Sequence, residues 1–102
     1  MPVNTPTTLF RGNATTNVGT TLYTVPASTT AIITSIVVAN NSSSAQTFTM
    51  LFDSVAIATT AACAANSSQI LDMKQVLTTT KLITGGASAT SVSFHISGVE
   101  SV

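Results

Sequence analysis

The hydrophobic pattern of the chain centres on Ala31 to Asn40, its longest run of β-branched residues. Read with period two, Ile33, Ser35, Val37 and Ala39 fall on one face and Ile32, Thr34, Ile36 and Val38 on the other. Both faces are largely apolar, which predicts a central strand covered on both sides. Val25 to Ser28 turns the chain into this strand, and Asn40 to Ser44 turns it out.

Shorter segments of the same period surround it. Thr8 to Arg11 reads as a strand stopped by Gly12 and Asn13, and Thr20 to Val25 as one ended by Pro26, which has no amide to donate. Gln46 to Phe52 alternates cleanly, with Phe48, Met50 and Phe52 on one face. Asp53 and Ser54 join it to Val55–Ala58 as a hairpin. Thr59 to Ala65 is compatible with a continued strand, a loop or one helical turn. Asn66 to Ser68 reads as a turn, Gln69 to Met73 as a strand, and Lys74 to Leu77 as a tight helical turn or loop. Lys81 to Thr84 is a short strand closed by a hairpin turn at Gly85 and Gly86. In the last segment Val92, Phe94 and Ile96 point inward, and Ser91, Ser93, His95 and Ser97 outward.

About eight short strands and no long helix predict an all-β domain over residues 8–102. The expected form is a single antiparallel β-sandwich, Greek-key or jelly-roll-like, with Ile36, Val38, Phe48, Met50, Phe52, Phe94 and Ile96 between its sheets. Residues 1–7 read as a flexible N-terminal arm, either frayed or ordered only against a neighbouring subunit. On the second reading Pro2, Val3, Thr5, Pro6 and Thr7 are the candidate assembly contacts.

Composition sharpens the expectation of assembly. Only Arg11, Lys74, Lys81, Asp53, Asp72 and Glu100 are formally charged, 6% of the chain, and they balance to zero. Soluble domains ordinarily carry about a quarter. A neutral chain has no electrostatic footprint for nucleic acid or an anionic membrane. The surface must be covered by the 20 threonines and 13 serines instead, which suits close packing against copies of itself or another protein, and neutral edges do little to block strand pairing. A neutral monomer from an unusual medium is the plainer reading. The first residues lack the basic and apolar regions of a signal peptide, and no apolar run approaches a membrane span.

The residues that could carry chemistry are few. Cys63 stands alone among four alanines, so it forms no internal disulfide and reads as a small buried hydrophobe. A Ser-His-acid site needs an oriented base, and the one histidine, His95, falls on the polar face of the last strand. One His and one Cys do not make a metal site. Asp53 and Asp72 could in principle form a glycosidase pair, but nothing places them across a cleft, and Asp53 reads as a turn residue. Sugar binding lacks its usual indole. The sequons at Asn13, Asn40, Asn41 and Asn66 are expected by chance in so Ser/Thr-rich a chain. The residues therefore argue for a non-enzyme without cofactors.

Leu22 to Ile33, leading into Ser35–Asn40, together with Asp53–Ala58 and Val92–Gly98, resembles small virion structural proteins of tailed bacteriophages. That family tends to read Leu-Tyr-Thr-Val-Pro-Ala-Gly-Thr, then a β-branched strand, then an Asp-Gly hairpin. Ser28 and Ser54 stand here where glycine is commoner. The resemblance spans about Leu22 to Gly98 and implies a sandwich that sits in a particle, with no catalytic position. It implies a capsid decoration or cement protein made in the host cytoplasm and carried in the virion. Such a protein is expected as a homo-oligomer, a trimer by preference, bound to the major capsid protein or other virion proteins. A tail, connector or fibre-base component is the alternative, and a host-surface or carbohydrate-binding module a further one.

Overall fold

Eight strands and no helix make up residues 4–102, the part of the chain that the computed structural model describes. They are β1 (Asn4–Asn13), β2 (Thr21–Thr24), β3 (Thr30–Asn40), β4 (Gln46–Phe52), β5 (Val55–Cys63), β6 (Ser67–Leu77), β7 (Leu82–Ala87) and β8 (Val92–Ser101). One sheet has the order β1-β8-β3-β6 and the other β2-β7-β4-β5, and every ladder is antiparallel. Only the β4–β5 connection is a hairpin within one sheet; all the others cross between sheets. That interleaving is the jelly-roll topology of a β-sandwich.

The inner faces meet over the residues that the alternation selects. Ile36, Val38, Phe48, Met50, Phe52, Phe94 and Ile96 are all buried, joined by Ile33, Val25, Ile83, Val92 and Cys63. Phe48 of β4 and Phe94 of β8 pack edge to face across the two layers, with ring centroids 6.2 Å apart. Among the described residues Asn40 is the one large polar side chain in this interior, and it closes one end of the sandwich. Its Nδ2 donates to the carbonyls of Ser44 (2.9 Å), Cys63 (3.1 Å) and Ala64 (3.2 Å), while its Oδ1 accepts from the Ser42 amide (3.0 Å). A fully satisfied buried amide of this kind ties the β3–β4 and β5–β6 turns together.

The structure departs from the simple period-two reading of β3. Ile33 and Ile36 both face the core, because a β-bulge at Thr34 inserts one residue and resets the alternation. Ala31 and Ile33 before the bulge, and Ile36, Val38 and Asn40 after it, therefore share the inner face. Ile32 and Val37 go to the outer face, which is only half-buried, so within one copy β3 is not covered on both sides.

Gly98 of β8 lies against the bulge. A Cβ there would stand 2.2 Å from the Ile32 carbonyl oxygen and 3.2 Å from Ile33 Cα. Gly85 and Gly86 do not form the expected hairpin turn; they are buried residues inside β7 paired with Met50 and Thr49. Added Cβ atoms would meet the Thr49 carbonyl at 2.7 Å and the Asn17 carbonyl at 2.6 Å. None of the five glycines has positive φ; the left-handed positions belong to Ser28, Asp53, Ser54, Thr60, Asn66 and Thr80. Asp53 and Ser54, with φ of 51° and 63°, make the two-residue primed turn that twists with the β4–β5 hairpin.

Two further boundaries differ from expectation, and of the alternatives open for the Thr59 segment the structure takes the continued strand. Lys74 to Leu77 is not a helical turn or loop but the end of β6, held in register by Ala31, Ile32 and Ile33 of β3 and anchored by buried Leu77. Thr59 to Cys63 continues β5. Asn4 to Thr7, expected in the arm, opens β1 and pairs with Ser101 to Gly98, because β8 runs on to Ser101 and offers a free edge. Met1, Pro2 and Val3 lie outside the described residues. The substitution Gly98→Ala should destabilise the fold by at least about 2 kcal/mol in chemical denaturation, since backbone rather than a flexible side chain must yield. An unchanged denaturation midpoint would show that the bulge is slack.

Candidate functional site

Among the described residues the reactive side chains lie apart. His95 lies on the outer face of β8, half-buried between Arg11 of β1 and Val37 of β3. Asp53 occupies the β4–β5 turn, where Lys81 Nζ approaches its Oδ1 at 3.6 Å, whereas Asp72 lies in the other sheet opposite Ser35. The two carboxylates that a glycosidase would need are thus on separate sheets. Cys63 is fully buried, its Sγ 3.9 Å from the carbonyls of Val38 and Ser67. Among the described residues, no three His, Cys, Asp or Glu side chains are grouped to hold a metal. Of the sequons, Asn40 is buried and fully engaged, while Asn13, Asn41 and Asn66 are exposed.

Two recesses among the described residues are both poor in chemistry. One, of about 210 Å³, lies against β4 and β7, with Thr16, Val18, Thr47, Thr49, Thr60 and Ser88 among its lining residues. Two of its hydroxyls are already in use: Thr49 Oγ1 accepts from the Thr60 amide at 3.0 Å, and Ser88 Oγ accepts from the Thr47 amide at 2.9 Å. The other, of about 310 Å³, is lined by Ala39, Asn40, Asn41, Asn66, Ser67 and Ser68 beside the Asn40 staple. Neither contains a charged group or an exposed aromatic ring.

The polar group most altered by its surroundings ties the layers together. Tyr23 of β2 donates its hydroxyl to Glu100 Oε2 on β8, across the two sheets. Partial burial, then the hydrogen bond to Glu100 and that carboxylate's charge, all push the phenol's pKa up.

What remains is surface, and its edges and faces differ. Charge on the edges is sparse, with Arg11, Asp72 and Lys74 on β1 and β6 and none on β2 or β5, but every edge is bulged. Register shifts interrupt β1 between Thr8 and Phe10, β2 between Thr21 and Tyr23, β6 between Asp72 and Gln75, and β5 twice. These are the four edge strands, and a bulged edge twists away from an incoming strand. Pro6 further removes a donor from β1. Backbone pairing along exposed edges, which the neutral composition led us to expect, is therefore disfavoured by geometry.

The outer face of the β1-β8-β3-β6 sheet is different. Cross-strand registry lines up Val76, Ile32, Val99 and Pro6 in one row spanning all four strands. A second row holds Ile70, Val37, His95 and Arg11, and between the two lies a row of Asp72, Ser35, Ser97 and Thr8. Ile70 and Val76 are 66% and 60% exposed, among the most open large apolar side chains of the protein. The sequence reading missed these rows because a row across a sheet exists only once register is known; Ile32, Val76 and Val99 are far apart along the chain.

Compared with known proteins, the chain matches no protein-family model and no curated protein.

The Tyr23–Glu100 link makes a pH prediction. A phenol whose folded pKa lies above its unfolded value of 10.0 contributes stability that is complete below pH 10 and is lost as pH rises further. Denaturation measured from pH 8 to 11 should therefore show a steeper alkaline loss for the wild type than for Tyr23→Phe. Parallel curves would mean that the phenol is not coupled to folding.

Proposed function

We propose that the chain is a structural protein of a bacteriophage particle, a capsid decoration protein that binds the outer shell and bridges capsomers. The observation that carries this reading is the surface just described: a small jelly roll with six charged residues, no reactive cluster among the described residues, and an outward sheet face crossed by one apolar row, Val76, Ile32, Val99 and Pro6, with Ile70 and Val37 side by side in a second row. The resemblance of Leu22–Gly98 to small phage virion proteins supplies the setting. Such a protein works by mass action: binding only the assembled shell stabilises it against the outward push of packaged DNA. Broad neutral surfaces suit this work, since many copies can lie side by side without repulsion. Thr5, Pro6 and Thr7 belong to β1 at the rim of the apolar face, so their contribution to contacts is as part of the sheet.

A tail or connector component with the same surfaces would differ in location and number. Particles prepared without the protein should release DNA at a lower temperature than complete particles. Images of complete particles should show it on the shell in proportion to the capsomers. An unchanged release temperature, or density confined to the tail, would overturn the decoration reading.

A further inference from the structure

We propose that the outer face of the β1-β8-β3-β6 sheet is a self-association surface that receives the same face of a second copy of this chain. The inference stands on the registry of the sheet and does not depend on which particle the protein belongs to.

Three observations converge. The first is exposure: Val76 and Ile70 are open, and Ile32, Val37 and Val99 are only half-covered, in rows that cross the whole sheet. The four bulged edges leave a face, not an edge, as the means of contact.

The second is the placement of charge. Asp53 lies beside Lys81, and Glu100 accepts from Tyr23. The other three charged residues, Arg11, Asp72 and Lys74, all lie on β1 and β6, the two edges of this one sheet. Arg11 and Asp72 are exposed, of opposite sign, on opposite edges and in adjacent rows.

The third is symmetry. A two-fold axis parallel to the strands, between β8 and β3, lays β1 of one copy over β6 of the other and keeps each row at its own height. The row Val76, Ile32, Val99, Pro6 then meets itself reversed, Val76 over Pro6 and Ile32 over Val99. Arg11 lies over Ile70 of the second copy, one row from that copy's Asp72. Rows are about 7 Å apart along a strand, within reach of a guanidinium, and the pairing occurs twice by symmetry.

The face is large enough. Four strands about 4.8 Å apart and ten residues long at about 3.3 Å each cover roughly 600 Å², close to the ~800 Å² per partner of a standard interface. Aligned packing of sheets at about 10 Å would seal Ile32 and Val37 from water. A two-fold closes at two copies, in place of the three expected from the sequence resemblance.

The test is sedimentation equilibrium of the full chain with charge-exchange variants, all at exposed positions. The wild type should dimerise. Arg11→Asp and Asp72→Arg should each weaken dimerisation at least about tenfold, and the double variant should recover most of the loss. Val76→Lys should abolish the dimer while leaving the circular dichroism unchanged. A monomeric or trimeric wild type, a dimer indifferent to Val76→Lys, or a double variant no better than the singles would overturn the proposal.

Discussion

The β-bulge at Thr34 is the feature on which the rest of the structure depends. One extra residue in β3 brings Ile33 onto the same face as Ile36 and Val38, so that the strand fills the core along its whole length. Its neighbours are adjusted to it. β1 and β6 shift register close beside it, and Gly98, which has no Cβ, lets β8 pass the Ile32 carbonyl. Without the bulge, strict alternation would turn Ile36 and Val38 away from the face that holds Ala31 and Ile33.

The same bulge determines the outer face. Because the phase changes at Thr34, Ile32 falls in one outward row and Val37 in another, separated by the hydroxyl row through Ser35 and Ser97. Core and docking surface are thus two consequences of one local insertion. The sequence-level expectation that β3 is covered on both sides is met on the inside by the second sheet. On the outside, a second copy of the chain would meet it.

Much of the fold is legible in the sequence, and the failures have definite causes. Phe48, Met50 and Phe52, or Val92, Phe94 and Ile96, reveal their inward face because β4 has no register shift against β7, and the 92–96 run of β8 none against β3. β3 misleads by one phase because a bulge leaves no reliable mark in composition. Gly85 and Gly86 look like a turn because glycine serves both positive φ and close backbone approach, and here only the second applies. Lys74 to Leu77 looks like a helical turn or loop because long straight-chain residues gather there, yet the register with Ala31–Ile33 extends the strand. The candidate surface was legible only as a general neutrality; its rows require the order β1-β8-β3-β6, which no local pattern specifies.

A protein of this kind acts through area and registry, so the most direct measurement is of access to the outer face. A thiol placed at Val37, with Thr49→Cys on the other sheet as control, reports that access by its rate of reaction with a soluble reagent; the native Cys63 is buried. The account predicts that the Val37→Cys rate falls as protein concentration rises while the Thr49→Cys rate does not. A Val37→Cys rate independent of concentration would contradict it.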